Sequence, residues 1–418
     1  MKNEVYDIIV IGGGPAGMMA AGRAGELGSR VLLIEKNDRL GKKLSITGGR
    51  RCNITNAEYD NRLFLENFPE SKQFLFSPFS KFNVESTFTF FESRGLPIKI
   101  EDRKRAFPKS EKAEDVCTLL ETYVKESGNV TVQLNAAFES FVKKGDKLVG
   151  VQTSAGVFLG TKIILAAGGL AAPETGSTGE WLPVLKSIGH TVKDPDPNLS
   201  PLRTSATWVH KLSGTTVEDM TLRFIQDDKV AHKARGRLLF THFGISGPLV
   251  INSSHQAKTL LKKGEVIASI DLFPDYDLGS LDAHLVDLFE ENKNKQLKTV
   301  LKDVLPKKLS ETILKKSGLG IDGVSVHSVT KEQRKLLVRI LKDLHFPIES
   351  TMGFEWSIVA DGGVDPKEVD FKSMTSRIFP NLYFIGDTLN INRPSGGFSL
   401  QLCWTTGWVA GSHAAQNL

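Results

Sequence analysis

Cysteine is scarce in this chain. Cys52, Cys117 and Cys403 are the only three in 418 residues, and no two of them form a C-x-x-C pair. That spacing argues against a redox-active dithiol and against a structural zinc site, so no metal is expected. So sparse and odd a set suits a reducing compartment, and a cytoplasmic location is the expectation. Long apolar runs are missing too: none approaches the roughly 20 residues that span a bilayer, so no membrane partner is expected. The first apolar run carries Glu4 and Asp7 and does not read as a signal peptide. Nor is one sign of charge in large excess. The formal net charge of +5 is too mild to imply nucleic acid by itself. What remains is an ordinary globular composition, 40% hydrophobic and 24% charged, long enough for two or three domains.

The chain opens on its strongest pattern. Val5 to Ile11 reads as a buried strand that runs directly into Gly12-Gly13-Gly14-Pro15-Ala16-Gly17. A helix-forming stretch follows to Leu27, then a second apolar run, Arg30 to Ile34, ending on Glu35. Strand, G-x-G-x-x-G, helix, strand and acid have the order and spacing of a dinucleotide-binding βαβ unit. Gly12 permits the turn, Gly14 lets a pyrophosphate approach the backbone, and Gly17 lets helix and strand pack closely. The helix-forming stretch begins at Met18, and its free N–H groups and dipole favour phosphate; Pro15 and Ala16, in the turn before it, are counted with the cofactor-binding residues. Glu35 suits a ribose hydroxyl and would repel a phosphate there, so the adenosine half is NAD-like or FAD-like. A second match, Gly318 to Gly323, follows a lysine-rich helical stretch with no strand before it and reads as a loop.

Further on, a basic, Gly-rich loop spans Gly41 to Asn53. Residues 71–94 and 114–126 look helical. Strand-like runs follow at 130–134, 138–143, 148–153 and 157–159, and a buried strand at 162–166 ends on Ala167-Gly168-Gly169. After Asp194-Pro195-Asp196-Pro197 the pattern becomes β-rich, from 199 to 274, and then helical and lysine-rich, from 278 to 344. Strand-like chain returns near Ser357, and Leu382 to Ile385 leads into Gly386-Asp387. A last helix begins near Ser399. The expected fold is α/β: a Rossmann-like FAD-binding domain of the glutathione-reductase type, interrupted by a β-rich, barrel-like and helical insert. The expected pieces are 1–194, 195–277, 278–350 and 351–418.

The C-terminal segment suits the far end of a bound FAD. Asp387, after Gly386, can accept hydrogen bonds from ribitol hydroxyls. Gly396-Gly397 allow the backbone to approach the isoalloxazine, and the helix starting near Ser399 turns its positive end toward the flavin N1/C2=O region. On these motifs the chain resembles the two-dinucleotide-binding-domain flavoproteins. Within them it is similar over nearly its whole length to the BaiN/YhiN family of NAD(P)/FAD-dependent oxidoreductases. The loop pattern G-K-K-L-x-I-S-G-G-G-R-C-N-x-T-N stands here as Gly41 to Asn56, with Thr47 for Ser and Arg50 for Gly. G-G-x-x-x-P-x-T-G-S-T-G is Gly168 to Gly179, and F-T-H-x-G-I-S-G-P is Phe240 to Pro248. G-G-Y-N is altered to Gly396-Gly397-Phe398-Ser399, and Asn390 and Arg393 replace Asp and Gly.

The resemblance implies that Lys36 and Lys43 sit near the phosphates or the adenine end. It places Thr47, Gly48, Gly49, Arg51, Cys52 and Asn53 toward the flavin, the Ala137 backbone at the adenine edge, and Ala167 and Gly168 by the ribose and pyrophosphate. It also implies NADH or NADPH as a transient electron donor and a small hydrophobic acceptor with an activated C=C bond. No second nicotinamide-binding βαβ unit is present, so the nicotinamide docks and leaves, or another donor serves.

His242 is the candidate for acid–base work, because an ordinary imidazole titrates near neutrality; the rival reading is a histidine that braces its loop. Cys52 reads as packing rather than nucleophile, and Arg393 as a solvated loop arginine rather than an anion-binding residue. Two other classes stay open. Thirteen Lys and Arg residues between Lys293 and Lys342 outnumber the acids around them, which admits a tRNA-directed flavoprotein although a solvated face is the commoner cause. A flavin-bound sensor without turnover is the third.

Overall fold

The computed structural model describes residues 5–319 and 323–418; half of the second G-x-G-x-x-G match, residues 320–322, thus lies outside the described residues. The chain divides into two compact units, Met1–Pro197 with Ile358–Leu418, and Asn198–Ser357. Among the described residues no helix is long and apolar enough to cross a membrane.

The first unit is built on five parallel strands: β1 (Val5–Ile11), β2 (Val31–Ile34), β3 (Val130–Gln133), β4 (Gly156–Leu165) and β5 (Leu382–Phe384). Their order is β3-β2-β1-β4-β5. Val31–Ile34 is buried throughout, as expected of strands covered on both faces. Antiparallel strands Phe138–Lys144 and Lys147–Thr153 extend the sheet beside β4. The order reverses between β1 and β4, which opens a crevice at their carboxyl ends. The helix α1 (Pro15–Glu26) begins there and packs along the C-terminal helix Phe398–Gln416. Gly407 and Gly411 make the approach close: a Cβ on either would meet the Ala16 or Ala20 carbonyl oxygen at 2.5 Å.

Two strand-like runs, 157–159 and 162–166, are one strand. Gly160 between them is no break; a Cβ there would press 2.7 Å from the Ile9 side chain on β1. The single helical stretch 71–94 is two helices, Lys72–Lys81 and Val84–Ser93, the second N-capped by Asn83.

In the second unit seven strands form one antiparallel ladder. Its two ends, Leu344–Ile348 and Ser350–Thr351, are consecutive in the chain. The sheet therefore curls back on itself, in barrel fashion. The β-rich stretch also holds a helix the sequence pattern did not show, Pro248–Leu261. Leu249-Val250-Ile251 reads locally as a strand, but Pro248 sits at the first helical position, where its missing N–H costs nothing. The four helices from Leu278 to Lys342 share one apolar cluster with this sheet. The β-rich and helical stretches are thus one packed body.

Candidate flavin site

The site grows from the turn after β1. Gly12 has φ +103, and a Cβ there would overlap the Ala166 carbonyl oxygen. Gly17 is closer still, because its Cβ would run into the Gly12 carbonyl oxygen. Gly14 is different: a Cβ there meets nothing within 4 Å. That empty flank lies at the N-cap of α1, where no side chain caps the helix and Pro15 is its first residue. The first-turn N–H groups are left for an anion.

Glu35 is buried, and it serves the turn itself. Oε2 accepts from Gly13 N at 2.7 Å, and Oε1 accepts from Asn37 N and Nδ2 at 2.8 and 2.7 Å. Oε2, with one bond accepted, keeps lone-pair capacity for a ribose hydroxyl. Lys36 is committed elsewhere: its ammonium donates to Thr178 Oγ1 at 2.6 Å and Glu180 Oε2 at 2.8 Å. Lys43, half-buried, donates to Ser177 Oγ at 3.4 Å. Burial pushes its pKa down, and the Asp387 carboxylate opposes that fall. Ala137 has both backbone groups engaged by Ser154, the N–H by Oγ and the carbonyl by the Ser154 N–H, each at 2.9 Å. The Gly168 carbonyl accepts from the Trp181 indole at 3.1 Å, and Ala167 lies beside the Gly12 turn.

The Gly41–Asn53 loop is held in left-handed backbone at Gly48, Gly49, Arg50 and Cys52. Thr47 Oγ1 donates to the Leu44 carbonyl at 2.7 Å. The Asn53 amide, with its nitrogen toward Ala106 and Thr55, accepts from Gly397 N at 3.0 Å. Arg51 pairs with Glu101 and Glu111 and stacks on Phe107 at 4.2 Å. Cys52 is fully buried, and burial pushes its thiol up to about 12. It is a packed thiol, because desolvation outweighs the hydrogen bond with Thr47 that favours the thiolate.

The third wall is C-terminal. Gly386 donates to Thr406 Oγ1 at 3.0 Å, and a Cβ on it would lie 2.9 Å from that of Ala16, so Asp387 adjoins the start of α1. Gly397, at φ +99, opens the C-terminal helix with no side-chain cap, and Gly396 is held by Asn56 Nδ2 at 3.3 Å. Phe398 turns its ring into a cluster with Phe64 and Phe68, at 4.9 and 6.1 Å. Arg393 corrects the sequence reading. It is 3% exposed, not solvated. Its guanidinium pairs with Asp387, donates to the Ile391 carbonyl, and reaches Ser399 Oγ at 3.2 Å. The Asp387–Arg393 pair thus stands between two uncapped helix starts, with Gly386 against Ala16 and Asp387 3.5 Å from Ser399 Oγ.

In the other unit His242 is exposed on the turn before Gly244–Ser246, edge-on to Phe243 with ring centroids 5.0 Å apart. The turn is held by Thr241, whose N–H donates to the Gly244 carbonyl at 2.8 Å and whose Oγ1 accepts from Gly244 N at 3.1 Å. Of the basic residues beyond Lys293, Lys308 donates to the Ser213 carbonyl at 2.9 Å and Lys316 lies 4.5 Å over the Trp208 ring.

Sequence reasoning missed one constellation, because its members lie far apart in the chain. His190 Nδ1 meets Glu368 Oε2 at 2.8 Å, and Nε2 meets Ser376 Oγ at 3.1 Å. Burial lowers the pKa of His190 against the pull of Glu368, so the ring is neutral. It donates from Nδ1 to the carboxylate and accepts the Ser376 proton. Ser376 Oγ also accepts from Ile378 N and Phe379 N, at 3.0 and 2.9 Å. Both its lone pairs are used and the His190 side chain is 0% exposed. This is a brace, not a nucleophile. Burial works against the Glu368 carboxylate, yet hydrogen bonds from Thr191 and His190 hold its pKa below the ordinary value.

Stability should therefore fall on acidification. Above an ordinary histidine pKa of 6.5 folded and unfolded chains both hold His190 neutral. Below it the unfolded chain takes up a proton that the folded chain refuses, so stability is lost until the folded pKa is passed. Glu368 adds a loss of the same sign lower down. Denaturant melts from pH 7.5 to 5 are the check. His190→Ala is expected to cost about 1–3 kcal/mol at pH 7.5 and to flatten the upper part of the pH slope. An unchanged slope would overturn the assignment.

The chain matches the family model described as HI0933-like protein Rossmann domain over residues 6–413. It belongs to that family. It is 29% identical over 408 residues to the ribosomal RNA dihydrouridine synthase of Escherichia coli K12, covering 97% of each chain. It is also 29% identical over 410 residues to the 3-dehydro-bile acid delta(4,6)-reductase of Clostridium scindens, covering 97% of this chain and 98% of that one. Among solved structures it superposes on the 3-ketosteroid-delta4-(5alpha)-dehydrogenase of Rhodococcus jostii RHA1 with a TM-score of 0.54 at 13% identity, covering 99% of this chain and 98% of that chain. A flavocytochrome c3 fumarate reductase gives 0.51 at 15% identity, over 99% of this chain and 78% of that one. Membership of this family makes the chain a Rossmann-type flavoprotein oxidoreductase.

Proposed function

We propose that this chain holds FAD at the β1 crevice and reduces a C=C bond conjugated to a carbonyl, with NADH or NADPH as the electron source. The observation that carries the cofactor reading is that Gly386-Asp387 links two uncapped helix starts, Gly386 against Ala16 of α1 and the Asp387 carboxylate 3.5 Å from Ser399 Oγ of the C-terminal helix, beside the open flank of Gly14. That cradle fits a dinucleotide: N–H groups of the first α1 turn for the diphosphate, Glu35 for a ribose, Asp387 for the ribitol, and Gly396-Gly397 with the C-terminal helix start for the ring. Lys43 and Ser177 add polar groups on the diphosphate side. When bound, FAD supplies two-electron hydride chemistry.

The acceptor class follows from what the two full-length relatives are named for. Making a dihydrouridine and reducing a 4,6-diene of a 3-oxo steroid both saturate a C=C bond conjugated to a carbonyl. In the net reaction one hydride from NAD(P)H and one proton convert C=C into CH–CH and release NAD(P)+. We assign the proton to His242; His242→Asn is expected to cut turnover at least about a hundredfold, the low end of what a positioned acid–base group contributes, with the melting temperature unchanged.

The test is an anaerobic titration of the purified protein with NADH or NADPH, followed at the flavin absorbance. Bleaching, then reoxidation by a 3-oxo-4-ene steroid or a uridine-containing RNA, is expected. Protein without a flavin spectrum would overturn the cofactor reading. Bleaching with no reoxidation by either acceptor would overturn the acceptor reading and favour a sensor.

A further inference from the structure

Arg50, Arg103 and Lys104 all hold left-handed backbone, at φ +69, +61 and +57. That region is uncomfortable for any side chain with a Cβ, and outliers of this kind cluster where binding requires them. All three are exposed cations. They stand on two adjoining loops, residues 47–53 and 102–105, both fastened to the flavin-side glycines. Asn56 Nδ2 donates to the Arg103 carbonyl at 3.1 Å and to the Gly396 carbonyl at 3.3 Å. Ala57 N donates to the Lys104 carbonyl at 2.6 Å. Asn53, at the end of the first loop, accepts from Gly397 N at 3.0 Å. The Phe107 ring lies between the loops, 3.5 Å from where a Gly48 Cβ would stand, with Arg51 and Arg105 over it at 4.2 and 5.7 Å.

Three of the four neighbouring acids are already matched; Asp102, beside Arg103, is exposed and carries no ion pair among the described residues. Glu58 pairs with Lys104, and Glu101 and Glu111 pair with Arg51 and Lys99. Among the described residues, Arg50 and Arg103 carry no side-chain hydrogen bond or ion pair. The backbone of each is pinned in a conformation that glycine would take freely, while its guanidinium points at no protein partner. A local fold alone gives no reason for arginine at either place.

We infer that Arg50 and Arg103 form a phosphate-binding rim beside the Gly396-Gly397 cradle, taking a nucleotide phosphate of the molecule that docks there. Guanidinium groups match phosphate oxygens in a bidentate way. The phosphate has two sources, a nicotinamide dinucleotide or a uridine-bearing RNA strand. The assignment rests on the cradle being the flavin site.

The variant that tests it is R50G/R103G. Glycine relieves the backbone at both positions, so the protein is expected to fold with an equal or higher melting temperature and an unchanged flavin spectrum. Two probes are used: a fluorescein-labelled single-stranded uridine-rich RNA by anisotropy, and NADPH and NADH by rapid-mixing reduction kinetics. A loss of at least tenfold in RNA affinity, with a shallower dependence on salt, assigns the rim to an RNA backbone. A rise of at least tenfold in the nicotinamide dissociation constant, with RNA unaffected, assigns it to the dinucleotide. No change with either probe overturns the inference. RNA binding is read without flavin reduction, so a failed reductase reading and a failed rim are separate results.

Discussion

Gly14→Ala is expected to give a folded protein that purifies colourless. The backbone at Gly14 is extended, φ −78 and ψ −174, so alanine fits it without strain. Its new Cβ meets no protein atom within 4 Å. Removing a glycine also narrows the unfolded ensemble, which raises stability by about 0.4–1 kcal/mol. The only thing such a methyl displaces is a ligand that comes against the backbone. Flavin affinity should drop by at least tenfold, about 1.4 kcal/mol. Gly17→Ala is the matched opposite, because its Cβ would overlap the Gly12 carbonyl oxygen, a backbone atom fixed by the turn. That substitution should cost about 3 kcal/mol or more in the apoprotein, the upper range for overpacking a rigid site. Apoprotein melts and the ratio of flavin to protein absorbance separate the two. A Gly14→Ala protein with a full complement of flavin would remove the phosphate from this turn.

The second large effect belongs to Arg393. Its guanidinium is 1% exposed and its partner, the Asp387 carboxylate, 15%. Removing one member of a buried pair strands the other charge and typically costs about 3–5 kcal/mol. Arg393→Met should therefore lower stability by an amount in that range and release flavin, since Asp387 and Ser399 lose the group that fixes them. The double variant Asp387→Asn with Arg393→Met should be markedly less unstable than the two single losses added together. Additive losses in denaturant melts would mean that the pair carries no coupling.

Much of this was legible in the sequence, and for a common reason. A turn that needs glycine, a helix that follows it and a strand buried on both faces are each decided by neighbouring residues. Val5 to Glu35 could thus be read as a dinucleotide-binding unit, and Gly386-Asp387 as its distant half. The low chance of Cys52 reacting was also legible, although its burial and not its basic neighbours decides it. Local pattern misled where tertiary packing overruled it. Leu249-Val250-Ile251 has the look of a strand and lies in a helix; Gly160 looks like a break and lies inside β4.

The sequence by itself determined the glycine turn, the acid at the end of β2 and the strand–Gly-Asp–helix order at the C-terminus. Each is a short-range steric or hydrogen-bonding demand, met by a few consecutive residues. Only the tertiary structure decided that Arg393 is buried against Asp387, that His190 joins Glu368 and Ser376 across 178 and 186 positions, and that the seven-stranded sheet ends where it begins. Those depend on which distant segments share one dry interior. There the cost of an unpaired charge or an unmet hydrogen bond selects the partners, and no local pattern along the chain records it.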